Sequence, residues 1–171
     1  MCEGHLLSGS RGFSGELGHM TFGFASGRSC GCGRKGCLQT VASAKGIVDT
    51  ALKFLNEKDY DSSLKKLPLE KLTSKTIYEA ALQGDEVARE VFQFTGYCLG
   101  KAAAEFASIS DPEAIILFGG VANAGDLILE PMKKSFYENS LHLYRNHTQL
   151  MISDINENDA AILGAASLVY D

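Results

Sequence analysis

Apolar residues recur at helical spacing along most of this chain. Leu38, Val41, Ala42, Ile47, Val48, Ala51, Leu52 and Leu55 fall largely on one face, predicting an amphipathic helix from about Leu38 to Asn56 that Gly46 could interrupt. Ser43 stands where it could cap a continuing segment. Thr73 or Ser74 caps a second helix with Ile77, Ala80, Ala81 and Leu82 apolar, and Gly84-Asp85 ends it and starts the next. Val87, Val91, Phe94, Cys98, Leu99, Ala102 and Phe106 mark the longest helix, Glu86 to Ser110, stopped ahead of Asp111-Pro112. Its small residues, Gly96, Gly100 and Ala102 to Ala104, permit close packing against a sheet or another helix. Ala114 to Phe118 is a continuous apolar run, the mark of a strand covered on both faces. A helix from about Asp126 to Glu138 follows it. Gln149 to Ser153 reads as another strand and Asn158 to Val169 as a closing helix of small residues. His5 to Ser8 looks like the tail of a strand, and Met20 to Phe24 like a short one. The charged stretch from about 57 to 75, which carries Pro68, reads as a surface insertion. Helices, strand, helix, strand, helix is an α/β order.

Composition narrows the class. A chain of 171 residues with 45% hydrophobic and 22% charged residues can bury a core. A net charge of −5 argues against a nucleic-acid surface. No apolar run has the length of a membrane span, and the N-terminus lacks the basic-then-apolar pattern of a signal peptide. The five cysteines are an odd number, so disulfides are not expected, and a cytoplasmic location is the default. Cys2 lies at the extreme N-terminus, and Cys98 falls in an apolar helical pattern as a core residue.

The chemistry concentrates between Gly15 and Cys37. Cys30, Cys32 and Cys37 are spaced C-x-C-x4-C, with His19 upstream and glycines at 27, 31, 33 and 36. Three thiolates and an imidazole form a closed tetrahedral donor set for Zn²⁺, structural because no position is left for water. A Cys30–Cys32 redox pair, or three simply buried thiols, would use the same residues. Glu16 could stand behind the metal-binding histidine, accept hydrogen bonds from a polyhydroxylated ligand, or be a solvated loop residue. Gly119-Gly120, between strand and helix, is the arrangement by which α/β proteins bring backbone N–H groups to a nucleotide, and it also serves plain turns.

Three motifs in order, G-F-S-G-E-L-G-H at Gly12 to His19, C-G-C-G-R-K-G-C at Cys30 to Cys37 and I-L-F-G-G at Ile116 to Gly120, resemble the ROK family of bacterial sugar kinases and repressors. The tail N-D-A-A-I-L-G-A-A fits the family's C-terminal helix. The resemblance covers residues 1–171 and implies the C-terminal lobe of an actin-like, hexokinase-like (ribonuclease H-like) ATPase fold, with a zinc loop at 19–37 and the N-terminal lobe absent. It implies His19, Cys30, Cys32 and Cys37 as zinc ligands, and Glu16 and His19 as neighbours of the sugar. Gly119 and Gly120 would approach the adenosine part of ATP. Where the family commonly has a sugar-binding glutamate this chain has Gln39, whose amide both donates and accepts.

The family's D-x-G-x-T phosphate loop and its N-D aspartate base have no counterpart here, and Asn158-Asp159 lies in the wrong place. The expectation is therefore no catalytic residue in this chain, which alone would be inactive. The intact protein would be a glucokinase-like phosphotransferase using ATP and Mg²⁺ on a hexose or N-acetylhexosamine. A sugar-sensing transcriptional repressor, with nucleic acid as partner, or a non-catalytic zinc-stabilised sugar-binding lobe are the alternatives. The expected partners are the N-terminal lobe of the same protein and a second copy in a homo-oligomer.

Overall fold

The computed structural model describes residues 5–57, 61–155 and 157–167. Five helices are named in it: α1 (Ala44–Glu57), α2 (Ser74–Leu82), α3 (Glu86–Ser110), α4 (Asp126–Asn139) and α5 (Glu157–Ser167). Two strands, β1 (Ala114–Leu117) and β2 (Gln149–Ile152), pair in parallel with Ala114 opposite Gln149 and Leu117 opposite Ile152. A parallel pair needs a crossover, and α4 supplies it.

Helix α3 is the spine. Its first turns put Ala88, Val91 and Phe92 into a core shared with Ile47 and Ala51 of α1, Ile77 and Ala81 of α2, and Ile128 of α4. Its middle places Cys98 and Ala102 beneath Ala25, Leu38 and Val41 of the cysteine loop. Its last turns pack Ala103, Ala104 and Ala107 on Met132 and Phe136 of α4. The small residues do what the sequence allows: α4 lies so close that a Cβ on Gly96 would come 2.6 Å from the Ile128 carbonyl oxygen. Ser135 Oγ donates to the Tyr97 carbonyl at 2.8 Å and ties the two helices in register.

Both helix starts fall where the sequence puts them, with Thr73 rather than Ser74 as the cap of α2. Thr73 caps α2 in a reciprocal capping box with Thr76. Asp85 caps α3 through the Ala88 N–H at 3.0 Å. Asp85 also accepts from Ser62 Oγ at 2.9 Å, the Ser63 N–H at 2.7 Å and Ser63 Oγ at 2.8 Å, tethering the preceding segment to the helix. Burial opposes its charge, but these donors outweigh burial and hold its carboxyl below the usual carboxylate range.

Several expectations are corrected. The insertion at about 57–75 is not a purely solvated excursion. It folds into short 3₁₀ turns at Ser63–Lys66 and Leu69–Lys71, and Leu64 and Leu72 are buried in the core. The first helix begins at Ala44, after a separate turn at Leu38–Thr40. The break falls ahead of Gly46, where Ser43 Oγ accepts from the Gly46 N–H at 3.1 Å. Met20 to Phe24 is not a strand: Thr21 makes one antiparallel bridge to Cys37, and a 3₁₀ turn starts at Gly23. His5 is a bridge residue, and Leu6 to Ser8 form no strand. Strand β1 is not covered on both faces. Ile116 is 56% exposed, because β2 and α4 leave its outer side open among the described residues. Cys98 is fully buried, as read, and burial pushes its thiol up to about 12. Cys2 and the end of the closing helix at Leu168 and Val169 lie outside the described residues. Among those described, no helix is long and apolar enough to cross a membrane.

Candidate metal and sugar site

The cysteine loop folds as a miniature hairpin. The Cys30 N–H donates to the Arg34 carbonyl at 2.8 Å, and the Gly36 N–H donates to the Arg28 carbonyl at 2.9 Å. At its tip Gly33 takes φ +86°, a conformation that side chains resist. Its second arm is stitched to the preceding segment by the Phe22 N–H to the Gly36 carbonyl and the Leu38 N–H to the Met20 carbonyl, each at 2.9 Å. Phe22 stacks on Phe24 at 4.9 Å and meets Phe106 of α3 edge-on, which seats the hairpin on the spine.

This architecture brings the four candidate ligands together. The donor atoms of His19, Cys30, Cys32 and Cys37 all lie within 4.8 Å of one another. His19 Nδ1 is 3.6 Å from Cys30 Sγ, and Cys32 Sγ is 3.6 Å from Cys37 Sγ. In a tetrahedron with metal–sulfur bonds of about 2.3 Å the ligands stand about 3.8 Å apart, so these separations match its edges. The cysteines are free thiols, with Cys32 Sγ and Cys37 Sγ 3.6 Å apart. The residues fit Zn²⁺ in charge, softness and spacing.

The thiols are not equivalent. Cys32 is exposed, and hydrogen bonds from the Arg34 backbone, the Arg34 side chain and Cys30 pull it down to about 6. Burial, followed by hydrogen bonding with Cys32 and Cys30, pushes Cys37 up to about 11.

Nδ1 of His19 faces the sulfurs, so Nε2 points away from them, toward Glu16 Oε2 at 3.7 Å. The 3₁₀ turn Leu17–His19 sets this pairing, with Glu16 exposed at its start. Arg34 donates to the His19 carbonyl at 2.8 Å and holds the turn to the hairpin. Gln39 joins the same group: its Nε2 donates to Cys30 Sγ at 3.1 Å. Glu16, His19, Gln39 and the three cysteines therefore form one constellation.

The glycine pair lies elsewhere. Gly119 turns the chain out of β1 with φ +94°, and its carbonyl accepts from the Ala122 N–H at 2.8 Å. Gly120, but not Gly119, lines a cleft of about 480 Å³ walled by Ile47, Tyr78, Phe92 and Val121, with Lys75 at its edge. None of the metal-cluster residues lines this cleft.

Sequence reasoning missed Arg28. Its guanidinium donates to the Thr40 carbonyl at 2.8 Å, the Gly46 carbonyl at 3.3 Å and Thr50 Oγ1 at 2.9 Å, clamping the hairpin to the start of α1. Desolvation lowers its pKa, and Asp49 acts in the opposite direction. Its partners are mostly backbone carbonyls, so no sequence signal marks them. Tyr78 and Lys75 were also missed, hidden in an ordinary amphipathic helix.

Residues 1–171 match the family described as the ROK family. The chain is 37% identical over 172 residues to a glucokinase of Halalkalibacterium halodurans, covering 99% of this chain and 51% of that protein. It is 31% identical over 167 residues to the transcriptional dual regulator NagC of Escherichia coli, covering 98% of this chain and 39% of that one. It thus spans about half or less of the length of these curated relatives. Its fold superposes on a ROK glucokinase of Streptomyces griseus, solved in complex with glucose and AMPPNP, with a TM-score of 0.81 and 31% identity. That match covers 96% of this chain and 54% of that one, and it gives the fold as actin-like, hexokinase-like α/β.

Proposed function

The chain belongs to the ROK family, and from that membership we propose that it is the C-terminal, sugar-holding lobe of an ATP-dependent hexose kinase. One observation carries the reading: Glu16, His19 and Gln39 converge on a Zn²⁺-type donor cluster that can fix their positions. In this reading His19, Cys30, Cys32 and Cys37 hold a structural Zn²⁺, which supplies rigidity and the tautomer of His19. With Nδ1 on the metal, Nε2 carries the proton and can donate to a sugar oxygen. Glu16, acceptor-only when ionised, takes hydrogen bonds from the sugar hydroxyls. The cleft beside Gly120 receives the adenosine of ATP, its apolar walls Ile47, Tyr78 and Phe92 suiting a flat heteroaromatic ring. The phosphate loop, the Mg²⁺ site and the aspartate that takes the proton from the attacking hydroxyl would come from the other lobe. Phosphoryl transfer depends on such positioning and charge stabilisation.

A second reading rests on the similarity to NagC: the same lobe senses a sugar and controls a DNA-binding segment, without turnover. The test is a coupled ADP-release assay on the full-length protein, with hexoses and N-acetylhexosamines, beside calorimetric sugar binding. Sugar-dependent ADP release that Glu16→Ala abolishes, with the fold retained, is the expected result. Tight sugar binding without ADP release moves the assignment to the sensor. Affinity unchanged in Glu16→Ala removes that residue from the site.

A further inference from the structure

The three cysteines of the loop differ in access. Cys30 and Cys37 are buried, whereas Cys32 is exposed. Cys32 sits between Gly31 and Gly33 at the hairpin tip, where a Cβ added at either glycine would meet no atom within 4 Å. Its sulfur is therefore reachable from solvent and has room to move. Cys37 Sγ lies 3.6 Å behind it. A disulfide bond is about 2.05 Å long, so the two sulfurs must approach by about 1.6 Å to form one. An accessible sulfur with a second within reach is the arrangement that carries oxidation to a disulfide rather than onward to sulfinic acid. Cys30 also borders Cys32, but its sulfur is held in place. It accepts from Gln39 Nε2 at 3.1 Å and stands 3.6 Å from His19 Nδ1, while the Cys30 N–H is bound to the Arg34 carbonyl at 2.8 Å.

The parts of the loop depend on the cluster to different degrees. Ala25, Leu38 and Val41 pack on Cys98 and Ala102 of α3, and Arg28 clamps the hairpin to α1. None of these contacts passes through a cluster sulfur. The Leu17–His19 turn, by contrast, buries no residue. It meets the hairpin through the Arg34 hydrogen bond to the His19 carbonyl and through the His19 ring, which belongs to the cluster. Dismantling the cluster thus frees this turn, with Glu16 at its start, and leaves the core intact.

We propose that Cys32 is an oxidation site, resolved by Cys37, through which a hydroperoxide discharges the metal and loosens the sugar-facing turn. The inference rests on the Zn²⁺ and sugar reading above and gives that site a regulation. The Cys32 sulfur attacks a peroxide oxygen, the O–O bond breaks, hydroxide leaves, and a sulfenic acid forms on Cys32. The Cys37 sulfur then attacks the Cys32 sulfur, the S–O bond breaks, and a second hydroxide leaves as the S–S bond forms. Two thiolates lose two electrons in total, and the peroxide takes both. His19 and Cys30 remain, two of the four donors of a structural zinc site, too few to retain the metal. A dithiol that is itself oxidised to a disulfide reverses the step, and resupplied zinc restores the site.

The test exposes the zinc-loaded full-length protein to hydrogen peroxide in the presence of a chromophoric zinc chelator. Released zinc, free thiols, bridged peptides by mass spectrometry, far-UV circular dichroism and the dissociation constant for glucose are read. The expected result is loss of the zinc together with two of the five thiols, a Cys32–Cys37 bridge, an unchanged far-UV spectrum and weaker glucose binding. Dithiothreitol with added zinc should reverse all of these. Cys32→His, which keeps a zinc donor without a thiol, should retain its metal in the same peroxide. If that variant fails to fold, the peptide map of the wild type decides alone. Zinc retained under peroxide, a bridge that includes Cys30, or sulfinic acid on Cys32 without a bridge overturns the inference and leaves the zinc reading standing. So does a Cys32→His protein that loses zinc as fast as wild type. Zinc release with glucose affinity unchanged overturns the link to the sugar-facing turn. A protein that binds glucose and holds no zinc before peroxide is added overturns the metal reading, and this inference with it.

Discussion

Replacing Gly100 by alanine adds one methyl group where α3 touches α4, and the structure sets the consequence. The new Cβ would lie 2.2 Å from the Met132 carbonyl oxygen, 2.7 Å from Ser135 Cβ and 2.8 Å from the Phe136 nitrogen. Favourable contacts between non-bonded heavy atoms lie at about 3.5 Å, so α4 must retreat by about 1 Å. Two of the three obstructing atoms are backbone and cannot rotate aside. Overpacking of this kind costs about 1–3 kcal/mol, and stretching the Ser135–Tyr97 hydrogen bond about 1 kcal/mol more. Alanine returns about 1 kcal/mol through its better helix propensity. The expected net loss is about 2 kcal/mol, read as a lower urea midpoint for the full-length protein with an unchanged slope. Gly23→Ala, where nothing lies within 4 Å of the added Cβ, should stay within about 0.5 kcal/mol of wild type. Function should follow packing, because α3 supports the cysteine hairpin and α4 follows directly from the Gly119–Gly120 turn. On the reading proposed above, sugar and nucleotide binding by the full-length protein should both be weaker in Gly100→Ala. A variant as stable as wild type, or stabilised by the propensity term, would refute the close-packing argument.

Two other perturbations test separate parts of the structure. Asp85 has a folded pKa below its unfolded value of about 3.9, so its contribution is full above that pH and disappears as pH falls through the folded value. Asp85→Ala should therefore cost about 2 kcal/mol at pH 7, through the lost cap and the loosened Ser62–Ser63 tether, and the gap to wild type should close in acid unfolding below about pH 4. Arg28→Ala should cost about 2 kcal/mol and, on the zinc reading proposed above, speed metal release to a chelator. Arg28→Lys should rescue only part of this, because an ammonium cannot reproduce the fork across Thr40, Gly46 and Thr50.

What could be read beforehand is what short-range chemistry encodes. Cys30, Cys32, Cys37 and His19 mark a candidate metal site because ligand type and spacing are themselves the signal, and the structure gathers them within 4.8 Å. Thr73 and Asp85 announce helix starts because a cap acts over three residues. The long apolar periodicity of α3 likewise needs no partner to be seen. Other features depend on distant parts of the chain. Arg28 reaches carbonyls 12 and 18 residues away, and nothing at Arg28 itself distinguishes it from a solvated arginine. Leu64 and Leu72 share a charged stretch with Leu67 and Leu69 at no regular period, and nothing in the sequence tells that the first two enter the core while the other two stay exposed. The apolar run of β1 tells that a strand forms and not what covers it, hence the exposed Ile116. Met20 to Phe24 alternates like a strand over too few residues to outweigh the turn at Gly23. The tie from Gln39 to Cys30 spans nine residues, and only the folded hairpin shows it.

The most direct test of the metal-centred account is elemental analysis of the full-length protein, with X-ray absorption at the zinc edge. The account predicts one zinc per chain bound by three sulfurs at about 2.3 Å and one nitrogen at about 2.0 Å, and loss of that zinc in Cys37→Ser. A folded, glucose-binding protein that contains no zinc would contradict it.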